Sequence, residues 1–155
     1  TSNMCSILRR VYDKVMPQPL PAGLLDLLRK PSPPCFIATL MPDGSPPQLT
    51  ETWVTTDGEN IVVNIVDGMQ KARNIARDPP RVAVNVVDPP ENVYGYYAVR
   101  GRVVKTTTEG GRESIDELSQ KYLGIPYPNF SGNPDETRLL ITIEADSVNS
   151  PQRGG

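Results

Sequence analysis

The chain contains no histidine, and its two cysteines, Cys5 and Cys35, show no CxxC spacing. Zinc fingers, Cys/His or Ser/His/Asp catalysis and imidazole-ligated haem are therefore excluded, and acid–base work falls to Asp, Glu, Tyr, Lys or a bound cofactor. No metal site is expected. A membrane span would need about 18 consecutive apolar residues, and no such run is present. Nor is there a signal peptide with a proper apolar segment, although Met4 onward could hide a trimmed start. The expectation is a soluble, cytoplasmic protein with no membrane partner. There is no basic excess either: a net charge of -2 and a pI near 5.2 argue against a nucleic-acid partner, so any anionic ligand must be held by local charge.

A chain of 155 residues can bury a core of its own without metal or disulfide help. Residues 1–20 carry "SILRRVYDKVM", where Ile7, Leu8, Val11 and Val15 fall at helical spacing before the proline-broken "PQPLPAG". This reads as an N-terminal helical extension and linker packing outside the main core. A domain over 21–150 and a tail over 151–155 complete the organisation. "AGLLDLLRK" is a second short helix, stopped by Pro31.

From Pro34 the character changes. "CFIATLM", "PQLTETWVT", "NIVVNIV", "RVAVNVV", "YYAVRGRVVKT" and "RLLITIEA" are six runs of strand length, rich in Val, Ile, Thr and aromatics. Asp-Gly in "PDGS" and "TDGE" favours tight hairpins between the first three, which are expected to form a meander. Ala72, Ile75 and Ala76 mark one face of a short helix after the third run. Ile115, Leu118 and Tyr122 mark a longer one over about 109–123, ended by Gly124. The predicted fold class is mainly β with flanking helices: a six-stranded antiparallel barrel.

In "NIVVNIV" both alternating sets are apolar, Ile61/Val63/Ile65 and Val62/Val66, so this strand must be covered on both sides. A second subunit is the simplest cover. Asn64 within it needs a polar partner, whether backbone, subunit or ligand.

The stretch "DGMQKARNIARDPP" then places Lys71 in the first turn of a helix. Orphan N–H groups and the helix dipole suit an anion there, with Asn74 on the same face and Gln70 or Arg73 as supplements. The same cations would equally serve to solubilise a surface helix.

The order "IATLMPDGSPPQLTETWV", "NIVVNIVDGMQKARNIARDPPRVAVNV", "YYAVRGRVV", a helix ending "KYLG" and "RLLITIEADSV" resembles the pyridoxamine 5′-phosphate oxidase-like split-barrel family. It looks most like the actinobacterial branch that uses the deazaflavin coenzyme F-420. The likeness runs from about Cys35 to Val148, and "KARNIARDPPRV" is its most specific part. It implies a split barrel whose strand-to-helix loop, here Met69 and Gln70, and lysine, here Lys71, hold the cofactor phosphate with Asn74 beside them. It also implies that Gln48, Thr50 and Thr52 line the isoalloxazine or deazaflavin ring, and that the backbone at Val63 and Asn64 bonds its pyrimidine edge. Members are homodimers with cofactor sites at the interface, and many carry an arginine just before the lysine segment where this chain has Met69 and Gln70.

A histidine-free chain suits such chemistry, because the cofactor carries the hydride while the protein binds, orients and excludes water. Tyr94, Tyr96 and Tyr97 are candidate proton donors or ordinary strand-edge packing, and strand alternation assigns Trp53 to packing. Lys71, Arg73, Arg77, Arg100 and Arg102 could meet the extra charge of an F-420 tail. Only Arg138 and Arg153 near the C-terminus could hold a substrate phosphate, which disfavours pyridoxamine phosphate oxidase activity itself. The expected function is an F-420-dependent oxidoreductase passing hydride to a small conjugated acceptor of enone, quinone or tetrapyrrole type. The alternatives are an FMN-binding flavoprotein of the same fold and a non-catalytic module that binds a cofactor or ligand.

Overall fold

The computed structural model describes residues 16–88 and 94–151, so the predicted helix within residues 1–15 and the tail from 152 lie outside the described residues. The order is α1 (Ala22–Leu28), β1 (Cys35–Thr39), β2 (Gln48–Glu51), β3 (Val54–Thr56), β4 (Ile61–Val66), α2 (Gln70–Ile75), β5 (Arg81–Val87), β6 (Tyr96–Thr107), α3 (Gly111–Leu123) and β7 (Arg138–Asn149). One antiparallel sheet holds all seven strands in the order β2-β1-β5-β6-β7-β4-β3. It is mostly β with flanking helices, and the sheet curls into the half-barrel of a split-barrel fold.

Among the described residues there are seven strands rather than the six expected, and the reason lies in "PQLTETWVT". This run breaks at Thr52–Trp53: its first half pairs with β1 and its second with β4, at opposite edges of the sheet. The predicted meander is therefore two hairpins joined by a bend. Thr52 N–H donates to Cys35 O (2.9 Å), continuing the β1–β2 pairing. Beyond the bend, Val54 N–H donates to the Tyr122 hydroxyl (3.1 Å), which in turn donates to Pro33 O (2.7 Å). Because two consecutive residues connect the sheet's two edges, the sheet must curl until those edges approach.

Inside the curl, Ile37, Val54, Ile61, Val63, Val84, Val86, Val99, Ile141 and Ile143 form the core, closed at one end by Leu24, Leu27 and Leu28 of α1. Leu20 of the linker joins this core, and Gln18 N–H bonds Ala145 O (2.7 Å).

As the doubly apolar pattern requires, β4 is covered on both faces, with Ile61 to Ile65 all buried. Ile61, Val63 and Ile65 point into the core, whereas α3, with Ile115 and Leu118 buried, packs on β4 and β7. The second cover is a helix of the same chain, so this strand by itself does not call for a partner subunit. Gly111 permits the approach: a Cβ there would lie 2.9 Å from the Arg138 carbonyl carbon and closer still to its oxygen. Gly124, at φ 72°, ends α3 in the left-handed conformation that glycine adopts without a Cβ clash. Among the described residues, no helix is long and apolar enough to cross a membrane.

Candidate functional site

The bend between β2 and β3 opens a cavity of about 420 Å³ lined by Glu51, Thr52, Trp53, Asn64, Lys71, Ile115, Tyr122, Tyr127, Phe130 and Arg138. Its size lies in the range usual for small-molecule sites. Strand alternation would have placed Thr52 and Trp53 on opposite faces, but both line the cavity because neither belongs to a regular strand. Trp53 is thus a site residue as well as a packing one. It stacks on Tyr122 (centroids 5.4 Å, planes 15° apart) and meets Tyr127 and Phe130 edge-on, each at 6.3 Å. Tyr127 and Phe130 also meet edge-on at 5.7 Å, giving an aromatic wall on the α3–β7 side.

Lys71 enters from the first turn of α2, and its ammonium donates to Thr50 Oγ1 (3.3 Å). Burial, followed by repulsion from Arg138, pulls its pKa below the ordinary lysine value. None of the ion pairs among the described residues includes Lys71, so its charge meets a hydroxyl and an open cavity. Since α2 spans only six residues, the side chain supplies the point charge expected of this place more than any helix dipole does.

Arg138 is the cavity's second cation and opens β7. Its Nε and Nη2 donate to Glu136 Oε1 (2.9 and 2.7 Å), Nη2 also donates to the Tyr127 hydroxyl, and Nη1 reaches Asn64 Oδ1 at 3.5 Å. The guanidinium lies over the Tyr127 ring, 4.7 Å from its centroid. Hydrogen bonds from Ser131 and Arg138, together with the Arg138 charge, outweigh desolvation and hold the Glu136 carboxyl below the usual carboxylate range.

The residues implied by the resemblance divide into groups. Thr52, Asn64 and Lys71 line the cavity, with Thr50 bonded to Lys71. Gln48 lies two positions before Thr50 on the same face of β2, and its Oε1 is buried without a hydrogen-bond partner. The Asn64 side chain, 6% exposed, donates to Gly111 O (2.7 Å), so it ties β4 to the start of α3. Val63 is fully buried and paired on both sides, with Val54 and Ile141, whereas Asn64 lies beyond the β3 register and pairs with Leu140 alone.

The remaining residues of the expected set lie off the cavity lining. Asn74 is buried with its amide donating to Thr39 Oγ1 (3.0 Å) and Met41 Sδ (3.4 Å) while accepting from Gln70 Nε2 (2.8 Å). Met69 is exposed, and Arg73 turns back onto Gly68 O and Gln70 Oε1. Tyr94, Tyr96 and Tyr97 are not among the lining residues, nor are Arg100 and Arg102; Arg102 pairs with Glu144 (2.9 Å) and Asp146.

Sequence alone did not mark Tyr122, Tyr127, Phe130 or Arg138 as residues of this cavity. Two aromatics in the Pro/Asn/Gly-rich stretch "IPYPNFSGNP" and a lone arginine opening an apolar run were the available signals.

A curled antiparallel sheet with a lysine-bearing cavity at its split is the architecture of the small split-barrel proteins related to flavin and deazaflavin oxidoreductases. The chain belongs to the pyridoxamine 5′-phosphate oxidase family, whose description matches residues 24–150. Among solved structures it is similar to an F420 reductase, at 30% identity and a TM-score of 0.67, covering 84% of this chain and 98% of that one. A conserved hypothetical protein from Mycobacterium tuberculosis (24% identity, TM-score 0.64, 86% and 85% covered) shares the fold. So does HupZ of Group A Streptococcus (19% identity, TM-score 0.58, 88% and 97% covered). No curated protein matches the chain.

Proposed function

We propose that this chain is an F-420-dependent oxidoreductase that passes hydride to a small conjugated organic acceptor, acting as a cytoplasmic homodimer. The observation that carries the reading is the half-buried Lys71 ammonium, which faces the cavity with a threonine hydroxyl and no carboxylate as partner. A phosphate there would relieve its repulsion from Arg138 and replace lost hydration. The 30% identity to an F420 reductase favours the deazaflavin.

When bound, the reduced coenzyme supplies hydride to an electrophilic carbon, and the neighbouring atom of the acceptor takes a proton. Trp53, Tyr127 and Phe130 offer ring faces and edges that would orient a flat molecule. Tyr127 is the proton donor of this reading: its oxygen accepts from Arg138, leaving its own proton to give, whereas the Tyr122 proton is engaged by Pro33 O. The dimer is supported by two exposed leucines, Leu49 of β2 and Leu40 just after β1.

An FMN flavoprotein is the second reading, favoured by the family description. Titrating the cofactor-free protein with F-420 and with FMN, each followed by ligand fluorescence, decides between them. Tighter F-420 binding is expected; tighter FMN binding moves the protein to the second reading, and binding of neither removes both.

A further inference from the structure

Arg138 holds a position that phosphate binding at Lys71 leaves unused. Its side chain is only 9% exposed, yet it lines an open cavity. Of its five N–H donors, Nε–H and the Nη2 pair are taken by Glu136 and Tyr127, while Nη1 has a single long contact, to Asn64. One edge of the guanidinium is therefore anchored and the other retains donor capacity. The two bonds to Glu136, with the guanidinium carbon held 4.7 Å from the Tyr127 centroid, orient the group, so the free edge has a set direction. Around it the rings of Trp53, Tyr127 and Phe130 stand nearly perpendicular to one another, at 70–87°, which leaves ring faces and edges available to a flat guest. Phe130, 69% exposed, stands where a ligand can reach it. Glu51, the one carboxylate of the lining, is exposed, and Glu136 engages only the Nε/Nη2 edge of Arg138, so the Nη1 edge faces no carboxylate.

We infer that the β7 side of the cavity is an acceptor subsite for a planar conjugated carboxylate: Arg138 Nη1 binds the carboxylate, and the Trp53/Tyr127/Phe130 wall packs on the conjugated plane. Glu136 and Asn64 are positioning residues that present the guanidinium. The assignment to the acceptor rests on the oxidoreductase reading; the binding preference does not.

Trp53 is the single tryptophan and lines the cavity, so its fluorescence reports occupancy directly. Cofactor-free protein is titrated with cinnamate and with cinnamamide, its neutral counterpart. The acid is expected to bind at least about tenfold tighter, and Arg138→Gln to lose that preference while cinnamamide affinity stays unchanged. Should Arg138→Gln fold poorly because Glu136 is left unpaired, the Arg138→Gln/Glu136→Gln double variant restores a neutral hydrogen-bonded pair and is expected to show the same loss. Equal affinity for acid and amide, a preference surviving in these variants, or no response of Trp53 would overturn the subsite. A wild-type protein that binds neither F-420 nor FMN defeats the oxidoreductase reading, whereas the cinnamate comparison still decides the subsite.

Discussion

Lys71 is where sequence and structure meet most directly. Its place in the first turn of a short helix was legible from "DGMQKARN", but its isolation from every carboxylate in the described ion pairs was not. Lys71→Ala is expected to weaken cofactor binding at least tenfold, about 1.4 kcal/mol, in the same fluorescence titration, because a charge-assisted phosphate contact disappears. Unchanged affinity would move the phosphate elsewhere. Asn74 illustrates the limit of local reasoning. Spacing put it on the helix face of Lys71, but its amide is engaged by Thr39 on a strand 35 positions away, a contact no local pattern encodes. Asn64 likewise needed a partner, and the one it has, Gly111 O, lies 47 positions along the chain.

At the scale of elements, α3 decides the most. It covers the outer face of β4, and near its end Tyr122 braces the bend between β2 and β3 while the Lys121 ammonium donates to Val54 O (2.7 Å) and Leu28 O. Its first residue touches the β7 backbone where Arg138 begins, so adding one methyl there tests the whole arrangement. Gly111→Ala is expected to cost roughly 1–3 kcal/mol, as other overpacked sites do, measured as a lower urea midpoint. An unchanged midpoint would mean that α3 can shift freely on β4. The extent of α3 was readable from Ile115, Leu118 and Gly124, but its docking target was not, since an apolar stripe asks for cover without naming it.

For the whole molecule, buried titratable groups make stability depend on pH in opposing senses. Burial lowers the Lys121 pKa to about 8, so between there and the unfolded value near 10.5 the unfolded state binds more protons and stability rises with pH. Burial raises the Cys35 thiol from 9.0 to about 12; above 9 the unfolded state loses this proton first, and stability falls. Urea midpoints followed from pH 8 to 11 are expected to lose the rising contribution in Lys121→Met and the falling one in Cys35→Ala. Parallel pH profiles for wild type and both variants would contradict the burial assigned to these groups.

The sequence by itself determined the β-rich domain, the helices flanking it, the doubly covered β4 and the place of Lys71, because these follow from side-chain periodicity and turn chemistry within a few residues. The tertiary structure alone decided that "PQLTETWVT" divides between the two edges of one sheet, that β4 is covered from within the chain, and that Trp53, Tyr127, Phe130 and Arg138 converge on Lys71. Those outcomes depend on how far the sheet curls and where α3 docks. Curl and docking are set by the packing of residues distant in sequence, and no local pattern carries that information.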